Sequence, residues 1–384
     1  MTDAVNPSSP SKLSILFLTT VLPSERRVGG EIVSAQVIDT MRRLGHDVRV
    51  LGYARPGYVP RDGEVVVENR PIETRGASLW AVQWLAQAFL GGNAYSVQKF
   101  AGGAYRATLG RALSGRAWDR IVIDHAQMGW LLPQLDRQQH IIHISHNCEG
   151  LLYAEQAEEG NALRRAVFSR EARLMQECEI RLARAARSVW TLTEAQAQAF
   201  QEMGASSVAL LPVPPMPLPE TFRLPAPDCD VAMLGTWSWG PNRAGLDWFC
   251  REVAPLVPDL HIQVGGSGAE DLRGRFANVE VLGRVADAAD FLAGARVIAV
   301  PSVKGDGIQI KTLDAIAIGR PVVATSFALR GIDELPARVT AVECPQAFAE
   351  ALQDAVAKAS DGAADDWQVQ RRERFRNALR DALA

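Results

Sequence analysis

Residues 297–325, VIAVPSVKGDGIQIKTLDAIAIGRPVVAT, decide the fold. The run VIAV reads as a buried strand, and Pro301 ends it. A loop with Gly305 and Gly307 follows, then a helix over about 308–318 closed by Gly319, then a strand from Pro321. Strand, helix and strand at this length make a parallel crossover unit.

Working outward, the same alternation fills the chain and predicts an α/β protein with doubly wound parallel sheets. Upstream, 13–19 reads as a strand, 31–44 as a helix and 47–51 as a strand. Further strands are expected at 120–123, 140–144, 188–192 and 208–211, with a long arginine-rich helical region over 161–186. Residues 212–227, PVPPMPLPETFRLPAP, hold seven of the 21 prolines and can enter neither a helix nor a central strand. Beyond them the alternation restarts, with strands at 230–234 and 261–264 and near Val279, Val297 and Pro321, a helix from about Asn242, and a last helix over 367–383. Two domains are therefore expected, 1–211 and 228–366, with a linker at 212–227 and a disordered lead-in at 1–12.

Composition agrees. The 384 residues, at about 150 per domain, allow two or three domains. With 41 Lys+Arg against 44 Asp+Glu, the net charge of -3 gives no basic excess for nucleic acid. Five cysteines with no CxxC spacing argue against a zinc or dithiol site and for buried thiols in a reducing cytoplasm. No apolar run reaches the roughly 20 residues a membrane span needs. The start, MTDAVNPSSPSK, lacks the apolar core of a signal peptide.

Ligands of such sheets bind beyond the carboxyl ends of the strands, so the residues just after strands are the candidates. Gly29 and Gly30 open the first helix, where free amides and the helix dipole favour an anion. His125 follows a strand, and His143, His146 and Asn147 end the next one, so three imidazoles are expected to converge. Asp306 and Asp314 lie eight positions apart, about 12 Å and on one face if both are helical. Lys311 is a cation in a helix's first turn, where the macrodipole disfavours it unless an anion binds there.

Residues 301–325 resemble the E-x7-E signature of the retaining GT-B glycosyltransferases of family 4. Pro301, Ser302, Gly307, Leu313, Ala315, Ala317, Gly319 and the PVVAT run match it, with aspartate for glutamate at 306 and 314 and Gln309 for a glycine. Residues 233–243, 263–268 and 281–285 resemble further strand ends of the family, although no arginine follows Gly235. The resemblance implies two Rossmann-like doubly wound domains facing across a deep cleft, an N-terminal acceptor domain, a C-terminal donor domain, and a final helix, 367–384, packing back on the first. It implies sugar transfer from a nucleotide diphosphate donor with retention, needing neither metal nor cofactor. His125 and Asp306 then act at the reacting sugar. Gly29, Gly30, Gly235, Arg243, Val285, Gly307, Ile308, Gln309, Lys311 and Asp314 bind the donor, and His146 and Asn147 the acceptor.

The acceptor is a sugar, a lipid-linked sugar or a small molecule. A cytoplasmic protein is expected, with peripheral membrane contact an open alternative. Aromatic residues over 79–95 raise that contact, but the lack of Lys or Arg between Arg75 and Lys99 favours core packing there. Two other readings stay open: a non-hydrolysing nucleotide-sugar epimerase, which would convert donor without acceptor, and a non-catalytic nucleotide-sugar binding scaffold. A dehydrogenase is the least favoured reading, because neither domain opens with GxGxxG followed by an acidic residue about 20 positions later.

Overall fold

The computed structural model describes residues 12–72, 78–158, 161–305, 307–358 and 366–384. The chain divides into two compact units, Met1–Leu211 with Phe375–Ala384, and Pro212–Arg374.

The first unit holds a seven-stranded sheet of β1 (Ser14–Val21), β2 (Asp47–Ala54), β3 (Glu64–Asn69), β4 (Arg120–Asp124), β5 (Ile141–Ile144), β6 (Ser188–Thr191) and β7 (Val208–Leu210). Their order is β3-β2-β1-β4-β5-β6-β7, and every pair is parallel. Helices cover both faces, so β1 is apolar without alternation: Ile15, Leu16, Phe17 and Leu18 are all fully buried.

The second unit holds β8 (Cys229–Leu234), β9 (Ile262–Gly265), β10 (Val279–Gly283), β11 (Ala295–Val300), β12 (Val322–Thr325) and β13 (Val339–Val342), in the order β10-β9-β8-β11-β12-β13, again parallel. Each sheet has its own apolar core. Strand order reverses beside β1 and β4 in one unit and beside β8 and β11 in the other. Those are the crevices where ligands of doubly wound sheets bind.

The expected strands all form, but β3 and β13 were not anticipated. Both are edge strands, mostly half-buried or exposed, and their apolar residues are few: Val65–Val67 between Glu64 and Glu68 in β3, and a β13 interrupted by Thr340. The helix of the 297–325 unit begins at Ile310, two residues later than expected, because Gly307 has φ 75° and Gln309 is extended at φ -93°, ψ 102°. The helical rise therefore cannot be carried back across 307–309.

The arginine-rich helix Ala162–Ala185 is exposed along its first turns and buried further on at Met175, Cys178 and Leu182. Two of its carboxylates serve the starts of other helices. Glu171 accepts from the amides of Tyr95 and Ser96, each at 2.8 Å, and from the Ser96 hydroxyl. Glu179 accepts from the amides of Glu149 (2.6 Å) and Gly150 (3.1 Å). A carboxylate there satisfies orphan amides and meets the positive end of the dipole. All five cysteines are free thiols, and Cys344 alone is exposed.

Candidate functional site

In the first unit the crevice is built from the ends of β1, β4 and β5 and the start of the helix Gly29–Arg43. β4 ends on Asp124, fully buried. Oδ2 accepts from the hydroxyls of Thr19 and Ser34, both at 2.7 Å, and Oδ1 lies 2.7 Å from His146 Nε2. Burial alone would raise the Asp124 pKa. The facing His125 and His146, with the hydrogen bonds from His146 and Ser34, hold it well below the usual carboxylate range. An ionised carboxylate only accepts, so His146 donates to it from Nε2, and its Nδ1 is buried without a hydrogen-bond partner among the described residues.

His125 stacks on His146 with centroids 3.9 Å apart and planes at 19°. Its backbone is left-handed, φ 70°, held by its amide donating to Ile144 O. Burial, then His146, pushes its pKa down, so the ring is neutral near pH 7. Gly30 makes the stack fit, since a Cβ there would lie 2.9 Å from His125 Cε1. Gly30→Ala is expected to displace His125 and lower turnover about tenfold with little loss of stability, read from steady-state rates beside a thermal melt. Unchanged turnover would remove His125 from the reaction.

His143 does not join the other two imidazoles. It lies within β5, with Nδ1 3.0 Å from Ile123 O and its ring 5.6 Å from Phe200, and burial lowers its pKa to about 4. Side chains on adjacent strand residues point to opposite faces, and only those beyond the strand end are free to turn into the crevice. Asn147 lies beside His146, its Nδ2 3.4 Å from Glu149 Oε1. Asp124, His125 and His146 have ligand atoms within 4.8 Å of one another, a set a metal ion could use. Three groups, Thr19, Ser34 and His146, already meet the Asp124 carboxylate.

In the second unit β8 ends at Leu234 and leads into Gly235, over which Trp237 folds, its Nε1 donating to Gly265 O at 2.8 Å. This turn packs on Gly266, where a Cβ would lie 1.8 Å from Gly235 O. Lys311, in the first turn of the helix Ile310–Ala317, donates from Nζ to Asn242 Oδ1 at 2.8 Å and sits 5.8 Å from the Trp237 ring. Burial lowers its pKa to about 8, and no charge among the described residues offsets that. Asp314, one turn on, accepts from the Met216 amide at 2.9 Å, and burial raises its pKa to about 6.

Lys311 and Asp314 line a largely apolar cavity of about 310 Å³ with Met216, Leu234 and Ala288. Val285 packs beside Gly265, and Gln309 accepts from Ser302 Oγ at 2.7 Å. Gly307 and Ile308 precede the helix. Asp306 lies outside the described residues. The Arg243 guanidinium is held by Asp247 at 2.9 Å and Asp271 at 2.6 Å. Asp124, Asn242 and Trp237 were not foreseen from sequence. Only Asp124 carried a signal, a carboxylate closing the apolar run of β4.

Residues 28–216 match the family described as glycosyl transferase 4-like domain, and residues 228–358 match glycosyl transferases group 1. A solved sucrose-phosphate synthase from Thermosynechococcus elongatus is similar with a TM-score of 0.60 at 15% identity, over 96% of this chain and 94% of its own. HepE from Anabaena, solved with UDP and glucose, has a TM-score of 0.53 at 14% identity, over 97% and 94%. Its complex with UDP-glucose gives 0.52 at 15%, over 97% and 98%. No curated protein sequence matches. Structural likeness at such identities establishes the fold, and the two domain matches establish the activity class. The chain belongs to the GT-B glycosyltransferases.

Proposed function

We propose that the protein moves a sugar from a nucleoside diphosphate donor to an acceptor hydroxyl with retention at the anomeric carbon, without a metal, in the synthesis of a bacterial-type polysaccharide or glycoconjugate. The observation that carries this reading is Lys311, a buried cation at a helix N-terminus beside a cavity and without a carboxylate partner among the described residues. A diphosphate supplies the missing anion, and the amides at the helix start share its charge. The complexes of HepE with UDP and with UDP-glucose support a donor of this type.

Lys311 and the backbone at Gly307 and Ile308 then stabilise the charge that grows on the diphosphate as the bond from its oxygen to the sugar breaks. By the family resemblance Asp314 takes the ribose and Val285 the base, with Gly235 allowing close approach. Arg243, already engaged by two carboxylates, serves by shaping the 235–243 turn. In the first unit Gly29 and Gly30 offer amides, His125 a neutral imidazole for the donor sugar, and His146 and Asn147 polar groups for the acceptor, which is a sugar, a lipid-linked sugar or a small molecule. Asp306 takes the sugar hydroxyls by the family resemblance.

A thermal-shift screen with UDP, GDP, ADP and dTDP sugars tests the donor, since a ligand at 100 times its Kd adds about 2.7 kcal/mol of stability. Transfer with the stabilising donor is expected to survive EDTA and to preserve anomeric configuration by NMR. Strict magnesium dependence, an inverted product, or conversion of donor without acceptor would each overturn the corresponding part. Donor binding with no turnover over a broad acceptor panel would favour a binding scaffold, and loss of transfer in Asp306→Ala would exclude one.

A further inference from the structure

The helix Ser78–Leu90 contains no charged residue, and it is not packed away as its sequence suggests. Trp84 and Ala88 are buried, yet Val82 is 67% exposed, and Leu85 and Leu90 are exposed as well. Val82 and Leu85 form one wall of an apolar groove of about 310 Å³ whose other wall includes Val167 and Phe168 of the helix Ala162–Ala185, with Tyr153 between. One turn before Val167, on the same face, Leu163 is 76% exposed.

Two exposed arginines border this apolar surface beside Leu163, while exposed Glu155 and Glu158 lie on the neighbouring helix Glu149–Glu158. Arg164 and Arg165 follow Leu163 directly, and Arg164 lies 5.2 Å from the Phe168 ring. Neither arginine pairs with a carboxylate among the described residues. The charged residue lining the groove, Glu171, is already met by the Tyr95 and Ser96 amides. Exposed aliphatic side chains with unpaired arginines at their border match the layering of a membrane surface, where acyl chains lie just beneath anionic headgroups. No helix among the described residues is long and apolar enough to cross a membrane, so contact here is peripheral.

We propose that the helix Ser78–Leu90 and the exposed first turns of the helix Ala162–Ala185 form a docking surface for an anionic bilayer, with Val82, Leu85 and Leu163 entering the acyl boundary and Arg164 and Arg165 at the headgroups. This goes beyond the transfer reading, and its test contains no sugar. Cosedimentation of the full chain with phosphatidylcholine vesicles, with and without phosphatidylglycerol, is expected to show about tenfold stronger binding to the anionic vesicles, weakened by salt.

The double variant Val82→Asp, Leu163→Asp is expected to lose that binding about tenfold. The variant Arg164→Gln, Arg165→Gln is expected to abolish the preference for phosphatidylglycerol. All four positions lie on the exposed side, and a thermal melt matching the parent shows that the variants fold. Equal binding to both vesicle types, no binding to either, or variants that bind as the parent does would overturn the proposal. So would concentration-dependent dimerisation without lipid that Val82→Asp, Leu163→Asp removes, because the surface would then cover a second copy.

Discussion

Lys311→Met is expected to weaken binding of the diphosphate donor about a hundredfold, since truncating one partner of a buried, hydrogen-bonded charge pair costs about 2–5 kcal/mol. Isothermal titration with the donor that the thermal screen selects reads this directly. The free variant should be no less stable than the parent, because removing a buried cation that meets no carboxylate among the described residues also removes its desolvation cost. pH supplies an independent arm. Burial brings the Lys311 pKa down to about 8, and the protonated form binds the anion. Donor affinity in the parent is therefore expected to fall as pH rises through 8, while Lys311→Met shows no such fall. Arg243→Gln, in contrast, should loosen the contact with Asp247 and Asp271 and change affinity much less. Equal losses in the two variants, or none at Lys311, would move the diphosphate elsewhere.

That contrast marks what could be read from sequence. Both cations lie near strand ends, and spacing alone cannot say which carboxylates reach them. Asp247 is four positions from Arg243 and visible as a helical pair, whereas Asp271 arrives from another loop. The central strands were legible because burial on both faces leaves an unbroken apolar run, as in Ile15 to Leu18, while β3 has only Val65–Val67 between charged residues and β13 is broken by Thr340. The helix Ser78–Leu90 misled because an uncharged sequence ordinarily packs inward, and only the placement of Val82 and Leu85 shows that half of it does not. Asp124 escaped notice for a different reason. Its hydroxyl partners Thr19 and Ser34 lie 105 and 90 residues away, so its network exists only in the folded chain.

Asp124→Asn is expected to destabilise the first unit by about 3–5 kcal/mol and to reduce turnover about a hundredfold. An amide replaces one acceptor oxygen by a donor, so Thr19 and Ser34 or His146 must lose a partner in a site without water access, and breaking a buried charged network has that cost. Urea melts and steady-state rates measure the two effects. The pH dependence separates this from a simple packing defect. Because the folded-state pKa of Asp124 is depressed, its contribution is present above the unfolded carboxylate value, about 4, and is lost as pH falls below it. The parent should therefore lose stability steeply below pH 4, and Asp124→Asn should lose less over the same range, its deficit narrowing as acid protonates the parent's carboxyl. A deficit that is constant with pH would show that Asp124 contributes shape and not charge. Restoring turnover with Asp124→Glu would show that the carboxylate's reach to His146, and not its exact length, keeps the imidazole pair in place.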